Sequence, residues 1–288
     1  MGAKQRAYIF GAGSTGRRLL PKIEEKYEII GFIDNNASYF QQSTDTNKTL
    51  GSYAVYSPEI VRDGSFDCIV IASMPGLEAI TKQMISFGIS SDAIDRSFVE
   101  VFVKSRILFL ERLSEEFNKQ RVEGALAEGG VLQGDFAKEI NWIFPDKKLY
   151  LFDTFEGFTH KDVSLEREKG YSLFSEGHLN ITSQALVMEK LPHPEKCIFK
   201  KGYFPQTAKD VEDIFCFVNL DFDLYNPTLA GLEFFCPRMV SGGVILVHDY
   251  FNDYFEGVRK AVYDYSAKSE NVLKYVPIGD DHSIAIMF

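Results

Sequence analysis

Two segments of the sequence repeat one pattern, in which an apolar run ends in closely spaced glycines and leads into a helix-like stretch. The first is AYIFGAGSTGRRL at residues 7–19, and the second is ALAEGGVLQGDFA at residues 125–137. A strand, a glycine turn and a helix in this order open a βαβ unit, which joins parallel strands through helical crossovers. The pattern predicts an α/β protein made of two tandem Rossmann-like domains with mainly parallel sheets.

One long amphipathic stretch separates the two sets of strand and helix signals. Residues 98–122 carry apolar side chains at helical spacing with charges between them, which predicts a connecting helix. Packing of this helix as the first element of the second domain is an equal alternative. The predicted organisation is a nucleotide-binding domain at 1–97, the helix at 98–122 and a second domain at 123–288. Within the first domain, Pro21 is expected to shorten or kink a helix.

Composition limits the classes of function. The chain has 288 residues, is 45% hydrophobic and carries a formal net charge of −10. It is long enough for two hydrophobic cores, and no basic run indicates a nucleic-acid partner. The four cysteines form no CxxC pair, and no apolar stretch approaches the length of a membrane span. These features indicate a cytoplasmic protein with a small-molecule partner, and they are compatible with a homo-oligomer.

The first glycine turn has the spacing of a dinucleotide site. Gly11, Gly13 and Gly16 form the pattern G-x-G-x-x-G, and Asp34 stands at the end of the next predicted strand. An acid in that position can bind ribose hydroxyls. A fold that kept its glycines for packing alone would show the same pattern. No residues for hydride transfer are recognisable in residues 1–97, so a nucleotide is favoured over redox use of NAD.

The second glycine turn carries an acid at its leading edge. It reads E-G-G-V-L-Q-G from Glu128 to Gly134, and Asp153 followed by Thr154 ends the next predicted strand. A carboxylate beside the turn repels a pyrophosphate, whereas it attracts the sulfonium and ammonium groups of S-adenosylmethionine (SAM). An acid after the second strand suits a ribose. These residues favour SAM over NAD.

Two further predicted strands end in polar side chains. FVNLDFDLY ends in Asp221 and Asp223, and GGVILVHDY ends in His248 and Asp249. Buried carboxylates require a partner, and the carboxyl ends of parallel strands line the ligand crevice of an open α/β sheet. Helix capping explains Asp221 poorly, because Asn226 stands closer to the expected start of the next helix.

Six motifs occur in an order that resembles a known enzyme family. They are LAEGGVLQGDFA, LYLFDTFEGF, KKGYFPQT, LDFDLYNPT, GGVILVHDY and GVRKAV, and the resemblance covers about residues 105–288. Together they resemble the macrocin- and mycinamicin-type sugar O-methyltransferases, a branch of the class I SAM-dependent enzymes. The first domain resembles nucleotide- or nucleotide-sugar-binding domains attached to bacterial polysaccharide-biosynthesis enzymes.

The resemblance implies a cofactor site in the second domain. The implied residues are Glu128, Gly130, Gly134, Asp153, Thr154, Gly202, Tyr203 and Phe204. Of these, the first three would line the methionine end of SAM, Asp153 would hold the ribose, and the last three would lie near the adenine.

The resemblance also implies a divalent metal, usually magnesium, that three carboxylates hold and adjacent sugar hydroxyls chelate. The matching positions are Asp221, His248 and Asp249, and His248 departs from the acid that the family shows. Because an imidazole suits later transition metals better than magnesium, three outcomes stay open. His248 is a ligand of the usual metal, the ion is manganese or another metal, or the metal is lost and His248 is a general base.

The implied catalytic residues are Asp221, Asp223 and His248, with Asp223 as a base or as a group that orients a ligand. His282, near the C-terminus of the chain, is expected to lie in a solvated turn. Acceptor-binding residues are expected in variable loops, in the region of residues 158–185.

The predicted reaction is methyl transfer from SAM to a sugar hydroxyl on a nucleotide sugar, a surface glycan or an antibiotic precursor. Two other classes of function stay open on the sequence alone. One is an NAD-dependent oxidoreductase that uses the first glycine turn, and the other is a non-catalytic nucleotide-binding protein in which the methyltransferase fold is a relic.

Overall fold

The computed structural model describes residues 3–38, 50, 52–74, 76–172, 174–268 and 273–288. The chain divides into two compact units, Met1–Lys104 and Ser105–Phe288. Each unit has its own sheet and its own buried hydrophobic residues, as expected of separate domains. No helix within the described ranges is long and apolar enough to cross a membrane.

In the described part of the first unit, five strands form a sheet in which every pairing is parallel. Its strands are β1 Gln5–Phe10, β2 Tyr27–Ile33, β3 Val55–Tyr56, β4 Cys68–Ile71 and β5 Ile94–Asp95, in the spatial order β3-β2-β1-β4-β5. Its helices include α1 Ser14–Lys26 and α2 Leu77–Ser86. Helix α1 continues through Pro21 to Lys26, so the expected shortening at this proline is wrong.

The second unit contains a seven-stranded, mainly parallel sheet. Its strands are β6 Ala125–Gly129, β7 Leu149–Asp153, β8 Cys197–Lys201, β9 Phe215–Leu220, β10 Met239–Val247, β11 Tyr275–Pro277 and β12 Ile284–Met287. The spatial order is β11-β12-β10-β9-β6-β7-β8. Strand β12 runs antiparallel to both of its neighbours, β10 and β11, and the other pairings of the described strands are parallel. The prediction of an α/β chain with mainly parallel sheets is confirmed.

Six further α-helices accompany these strands in the described part of the chain. They are α3 Ser97–Gln120, α4 Asp135–Ile143, α5 His160–Lys169, α6 Gln184–Lys190, α7 Tyr225–Phe235 and α8 Glu256–Lys268. Helix α3 occupies the stretch for which the sequence predicts a connecting helix, and it begins in the first unit and ends in the second.

The central strands of the second sheet end in one row. Phe152 pairs with Gly129, Gly129 with Leu220, and Leu220 with Val247. Strand β12 joins the same row from the opposite direction, because Val247 pairs with Ile284. The next residue of each parallel strand therefore lies at the carboxyl edge of the sheet, where ligands bind in open α/β folds.

Glycine is required in the turn after β6 for steric reasons. Gly130 has φ +82°, and a Cβ there would lie 1.9 Å from the carbonyl oxygen of Asp221. A Cβ on Gly129 would meet the ring of Phe222 at 2.2 Å. These glycines let the turn pack directly against the end of β9, which brings the glycine turn close to Asp221 and Phe222.

Helix α7, which follows the β9 aspartates, is capped by an acid from α5. The backbone N–H of Tyr225 donates to Glu166 Oε1 at 2.7 Å, and Glu166 is 2% exposed. Asn226, the cap expected from the sequence, lies inside the helix. Burial raises the pKa of the Glu166 carboxyl to about 7, although the N–H bond opposes this shift.

Glu166 is expected to make the stability of the fold depend on pH. Its pKa is about 7 in the folded protein against an ordinary value of 4.5. The folded chain therefore holds a proton that the unfolded chain releases, and the free energy of unfolding falls as pH rises through this window. We expect Glu166→Gln, which cannot ionise, to lose this part of the pH dependence in thermal unfolding curves.

The matched control is Glu168→Gln, since the Glu168 side chain on the same helix is 70% exposed. This variant should keep the wild-type pH profile. If Glu166→Gln also unfolds with the wild-type pH profile, the raised pKa of Glu166 is wrong.

Candidate active site

Three sequence-predicted side chains converge at the ends of β9 and β10. Asp221, His248 and Asp249 each offer one ligand atom, and these atoms lie within 4.8 Å of one another. The sheet explains the convergence, since the N–H of Asp221 bonds to Gly129 O and the N–H of His248 bonds to Leu220 O. Asp249 is 6% exposed and His248 is 9% exposed, so these donors meet in a largely desolvated place.

Carboxylates repel one another within this cluster. The pKa of Asp223 is raised well above its ordinary value, because the partly exposed group is largely desolvated and lies near the charges of Asp249 and Asp221. Burial opposes ionisation of Asp249 as well. The charge of His248 and hydrogen bonds from Asp223 and Asn252 nevertheless hold the pKa of Asp249 below its ordinary value. Of the two carboxyl groups, Asp223 thus has the higher pKa and Asp249 the lower.

This donor set fits a divalent metal. A raised pKa is one way in which neighbouring acids lower their mutual repulsion, and a cation among the same oxygens would lower it more fully. Two carboxylates with one imidazole are ligands that divalent metals accept. Asp221, His248 and Asp249 could therefore hold such an ion, with Asp223 beside it.

Three aspartates around the cluster have left-handed backbone conformations. The φ angles are 64° at Asp223, 56° at Asp249 and 78° at Asp281. Such conformations cost about 1–3 kcal/mol each, and they concentrate at functional sites. Asp223 and Asp249 follow the ends of β9 and β10, and Asp281 precedes β12, so these conformations support a functional role for this edge of the sheet.

A buried chain of hydrogen bonds connects the glycine turn to Asp221. Asn219 Nδ2 donates to Glu128 Oε1 at 2.9 Å. Arg106 Nη2 donates to Asn219 Oδ1 at 2.9 Å and to Asp221 Oδ2 at 3.1 Å. The guanidinium of Arg106 also lies over the ring of Phe136, 3.9 Å from its centroid. Arg106 therefore places a fixed positive charge between the two acids.

Sequence reasoning missed both Arg106 and Asn219. Asn219 carried a signal, because it is a polar residue inside an otherwise apolar buried strand. Arg106 carried none, since it is one of many charged residues on a long amphipathic helix.

The Glu128 side chain is buried, and one of its carboxyl oxygens has no hydrogen-bond partner in the described part of the chain. It is 1% exposed, and its Oε2 atom has no hydrogen-bond partner among the described residues. Burial and the nearby charge of Asp221 raise the pKa of Glu128 well above its ordinary value, although Arg106 opposes the shift. A buried carboxyl group of this kind suits a ligand that carries an ammonium or other cationic group.

Asp153 fixes the glycine turn that follows β6. Its Oδ2 accepts the N–H groups of Val131 at 2.7 Å and Leu132 at 2.9 Å, and its Oδ1 accepts the N–H of Phe155 at 2.6 Å. A carboxylate has about four acceptor positions. Three are used here, so one acceptor position on Oδ1 is open to a ligand hydroxyl.

Three other residues that the sequence predicts to bind the cofactor, Thr154, Gly202 and Tyr203, form hydrogen bonds within the second unit. Thr154 Oγ1 donates to Gly157 O at 3.1 Å, and the N–H of Gly202 bonds to Asp153 O at 2.9 Å. Tyr203 donates through its hydroxyl to an acid of α5, Asp162. Gly202 thus lies beside Asp153.

Two residues of the second unit that are predicted to bind the cofactor also have packing roles, which the sequence analysis did not anticipate. Phe204 is 4% exposed and packs against Phe152 and Phe235 in the aromatic core. A Cβ on Gly134, which has φ +77°, would lie 2.7 Å from Val187. These contacts account for both residues, and their roles toward SAM stay predictions.

The glycine turn of the first unit has the same construction as the turn of the second. Asp34 Oδ2 accepts the N–H of Ala12 at 3.0 Å, and Gly13 precedes the first residue of α1 without a capping side chain. A Cβ on Gly16 would lie 1.9 Å from Gly11 O. Packing of the turn therefore accounts for Gly16, and the binding of a nucleotide stays a prediction.

His282 is buried, so the expected solvated turn is wrong. It is 4% exposed, and its ring centroid lies 5.6 Å from that of His248. The reason is the antiparallel strand β12, which places residues 280–283 beside the end of β10. Two neighbours that the sequence analysis did not identify, Asp280 and Ser283, are 0% and 1% exposed.

Comparisons with known proteins match the chain to two family models. The family model described as Macrocin-O-methyltransferase (TylF) matches residues 93–278, and the model described as C2185-like, N-terminal matches residues 3–94. None of the curated proteins compared with the chain matches it.

Two solved structures share the fold. The O-methyltransferase NovP is 20% identical with a TM-score of 0.51, and the match covers 64% of this chain and 79% of NovP. The calicheamicin methyltransferase CalS11 is 19% identical with a TM-score of 0.53, and the match covers 73% of this chain and 85% of CalS11. Identities at this level show a common fold.

The match to the first family spans all the strand ends described above, from Glu128 to Asp249. The chain therefore belongs to the macrocin O-methyltransferase family and is a SAM-dependent O-methyltransferase.

Proposed function

We propose that this enzyme methylates a hydroxyl of a sugar, carried by a nucleotide sugar, a surface glycan or an antibiotic precursor. We propose further that a divalent metal takes part, held by Asp221, His248 and Asp249. The observation that carries the proposal is the approach of these three donors within 4.8 Å, next to the glycine turn. Membership of a family named for macrocin O-methylation supports the sugar acceptor.

Glu128 and Asp153 are the proposed contacts to SAM. Glu128 offers a buried oxygen that has no hydrogen-bond partner in the part of the chain that the structure describes, which suits the ammonium group of the methionine part. Asp153 holds the turn through three N–H groups and offers its remaining acceptor position to a ribose hydroxyl. The sulfonium of SAM supplies an electrophilic methyl group, and its positive charge is favoured next to these acids.

Asp223 is the proposed base. Its pKa is raised by burial and by the charges of Asp249 and Asp221, so it binds a proton more strongly than an ordinary aspartate. In its ionised form, which a cation bound among these carboxylates would favour, it would accept the proton of the acceptor hydroxyl while the hydroxyl oxygen bonds to the methyl carbon and the carbon–sulfur bond breaks. The products are the methyl ether and S-adenosylhomocysteine, and the crevice must hold the three reacting atoms in line.

Asp221, His248 and Asp249 would hold the metal, which when bound polarises an alcohol and lowers its pKa. Adjacent sugar hydroxyls are suitable acceptors because two oxygens can chelate one cation. Arg106 fixes Asp221 through its hydrogen bond at 3.1 Å and so orients one of the proposed ligands.

The glycine turn of the first unit is proposed to bind a nucleotide through Gly11, Gly13, Gly16 and Asp34. Its support is the turn itself, which leads into the 13-residue helix α1. The N–H groups and the dipole at the start of a helix favour phosphate. Hydride transfer is not part of this proposal.

Asp249→Asn should abolish methyl transfer without weakening the binding of SAM. Asparagine tolerates the left-handed backbone at this position but removes a charged ligand, so we expect activity to fall about a hundredfold or more. Activity is measured with a panel of nucleotide sugars, and SAM affinity by calorimetry. SAM affinity should stay within about threefold of wild type, because Asp249 lies at the proposed acceptor end.

Asp253→Asn is the matched control, since Asp253 is a 59% exposed acid four residues away. It should retain wild-type activity. Full activity of Asp249→Asn, or a selective loss of its SAM affinity, would contradict the proposed layout.

Asp153→Ala should weaken SAM binding about tenfold or more. The change leaves the N–H groups of the glycine turn without their acceptor, and an unsatisfied buried donor costs about 1–3 kcal/mol. Calorimetry of SAM binding measures the effect, and thermal unfolding confirms that the variant is folded. Asp34→Ala, the equivalent change in the first unit, should leave SAM affinity unchanged. Equal SAM affinity in Asp153→Ala and wild type would remove Asp153 from the cofactor site.

A further inference from the structure

The ring of His248 is held by a buried relay from the turn before β12. Ser283 Oγ lies 2.9 Å from His248 Nδ1 and donates to Asp280 Oδ2 at 2.5 Å. Asp280 is 0% exposed and Ser283 is 1% exposed. The three side chains therefore form an Asp280–Ser283–His248 relay that is closed to solvent.

The hydrogen bonds of the relay determine which nitrogen of His248 carries a proton. Asp280 is surrounded by donors, since it accepts the N–H groups of Ser283 at 2.8 Å and His282 at 3.3 Å. Its Oδ2 also lies 3.9 Å from Arg106 Nε. A carboxylate only accepts, so the single hydroxyl hydrogen of Ser283 points to Asp280. Ser283 Oγ must then accept a hydrogen from His248 Nδ1, so Nε2 is the ring nitrogen that can offer a lone pair to a ligand.

We propose that Asp280 and Ser283 are positioning residues that present His248 Nε2 as a ligand in the Asp221–His248–Asp249 site. We further propose that this nitrogen shifts the site from Mg²⁺ toward Mn²⁺ and the later divalent metals. This inference rests on the proposed function, because it concerns the metal of the same site. Asp280 and Ser283 would orient the ring of His248, and the site would prefer Mn²⁺ to Mg²⁺.

The chemistry of the donors supports this preference. Mg²⁺ strongly favours six oxygen ligands in an octahedron, whereas imidazole nitrogen suits Mn²⁺ and the later transition metals. A metal-binding histidine usually donates its other N–H to an acceptor that fixes the tautomer and raises the basicity of the ligand. Ser283, backed by Asp280, supplies such an acceptor. A histidine without this relay could turn its N–H toward Asp221 and Asp249 instead.

The direct test is electron spin-echo spectroscopy of Mn²⁺ bound to the full-length protein. A nitrogen ligand produces a ¹⁴N coupling, and we expect this coupling in wild type and its loss in His248→Asn. His282→Asn should keep the coupling, although its ring lies 5.6 Å from that of His248. A wild-type spectrum without ¹⁴N coupling, or a coupling that survives in His248→Asn, would overturn the proposal.

Competition between Mn²⁺ and Mg²⁺ tests the preference. We expect wild type to bind Mn²⁺ at least about tenfold more tightly than Mg²⁺, and His248→Asp to reduce this ratio about tenfold. His248→Asn serves as a second variant, because its neutral amide adds no charge beside Asp280. An unchanged ratio in both variants would contradict the role of His248.

Ser283→Ala tests the relay. Loss of the acceptor should weaken Mn²⁺ binding about tenfold, and Ser283→Thr, which keeps a hydroxyl, should restore it. In a His248→Asn background the same Ser283→Ala change should have no further effect on Mn²⁺ affinity. An equal loss in both backgrounds would show that Ser283 acts on the fold and not on His248, which would overturn the relay.

SAM affinity and methyl transfer separate this inference from the proposed function. If SAM binds and Mg²⁺ supports transfer while ¹⁴N coupling is absent, the further inference alone fails. If the protein binds neither Mn²⁺ nor Mg²⁺, the metal part of the proposed function fails with it.

Discussion

Repulsion among buried carboxylates is the constraint on which the second unit depends. Glu128, Asp223 and Asp249 are each at most intermediate in exposure and lie around Asp221. Two like charges about 4 Å apart repel by about 4 kcal/mol at an effective dielectric constant of about 20. Arg106 offsets part of this repulsion, but it is shared between Asp221 and Asp280. The fold therefore favours ligands that bring positive charge, which is the property that a sulfonium cofactor and a divalent metal have in common.

Backbone geometry keeps these groups together against their repulsion. The register of β7, β6, β9 and β10 ends four strands in one row, and the glycine turn packs against the carbonyl of Asp221. Left-handed conformations at Asp223 and Asp249 add local strain. The free energy of packing the buried strands must offset both the repulsion and the strain. The stability of the sheet therefore keeps the acidic side chains at its carboxyl edge close together. Ligands that bind only the folded chain would add to that stability.

The sequence predicted those parts of the site that follow from local pattern. Parallel strands read as buried apolar runs, so an acid directly after such a run is visible, and this identified Asp153, Asp221 and Asp249. The glycine turns were visible for the same reason, because their position after a strand is local. The family resemblance identified the cofactor as SAM, whereas the pattern of residues alone only favoured SAM over NAD.

Long-range packing determined the parts that were missed. Arg106 reaches Asp221 across 115 positions of sequence, and no local pattern distinguishes it from other charges on α3. Asp280 and Ser283 meet His248 only because β12 inserts antiparallel beside β10, a pairing that the sequence analysis did not predict. Glu166 reaches the start of α7 from another helix, which is why Asn226 looked like the better cap.

Native mass spectrometry of the purified protein measures directly which ligands bind in the acidic crevice. After SAM and Mn²⁺ are added, we expect a mass increase of one adenosyl ligand and one divalent metal for each chain. Glu128→Gln should reduce occupancy by the adenosyl ligand. A protein that binds NADH tightly while gaining neither SAM nor metal would show that the acidic crevice is not a methyltransferase site.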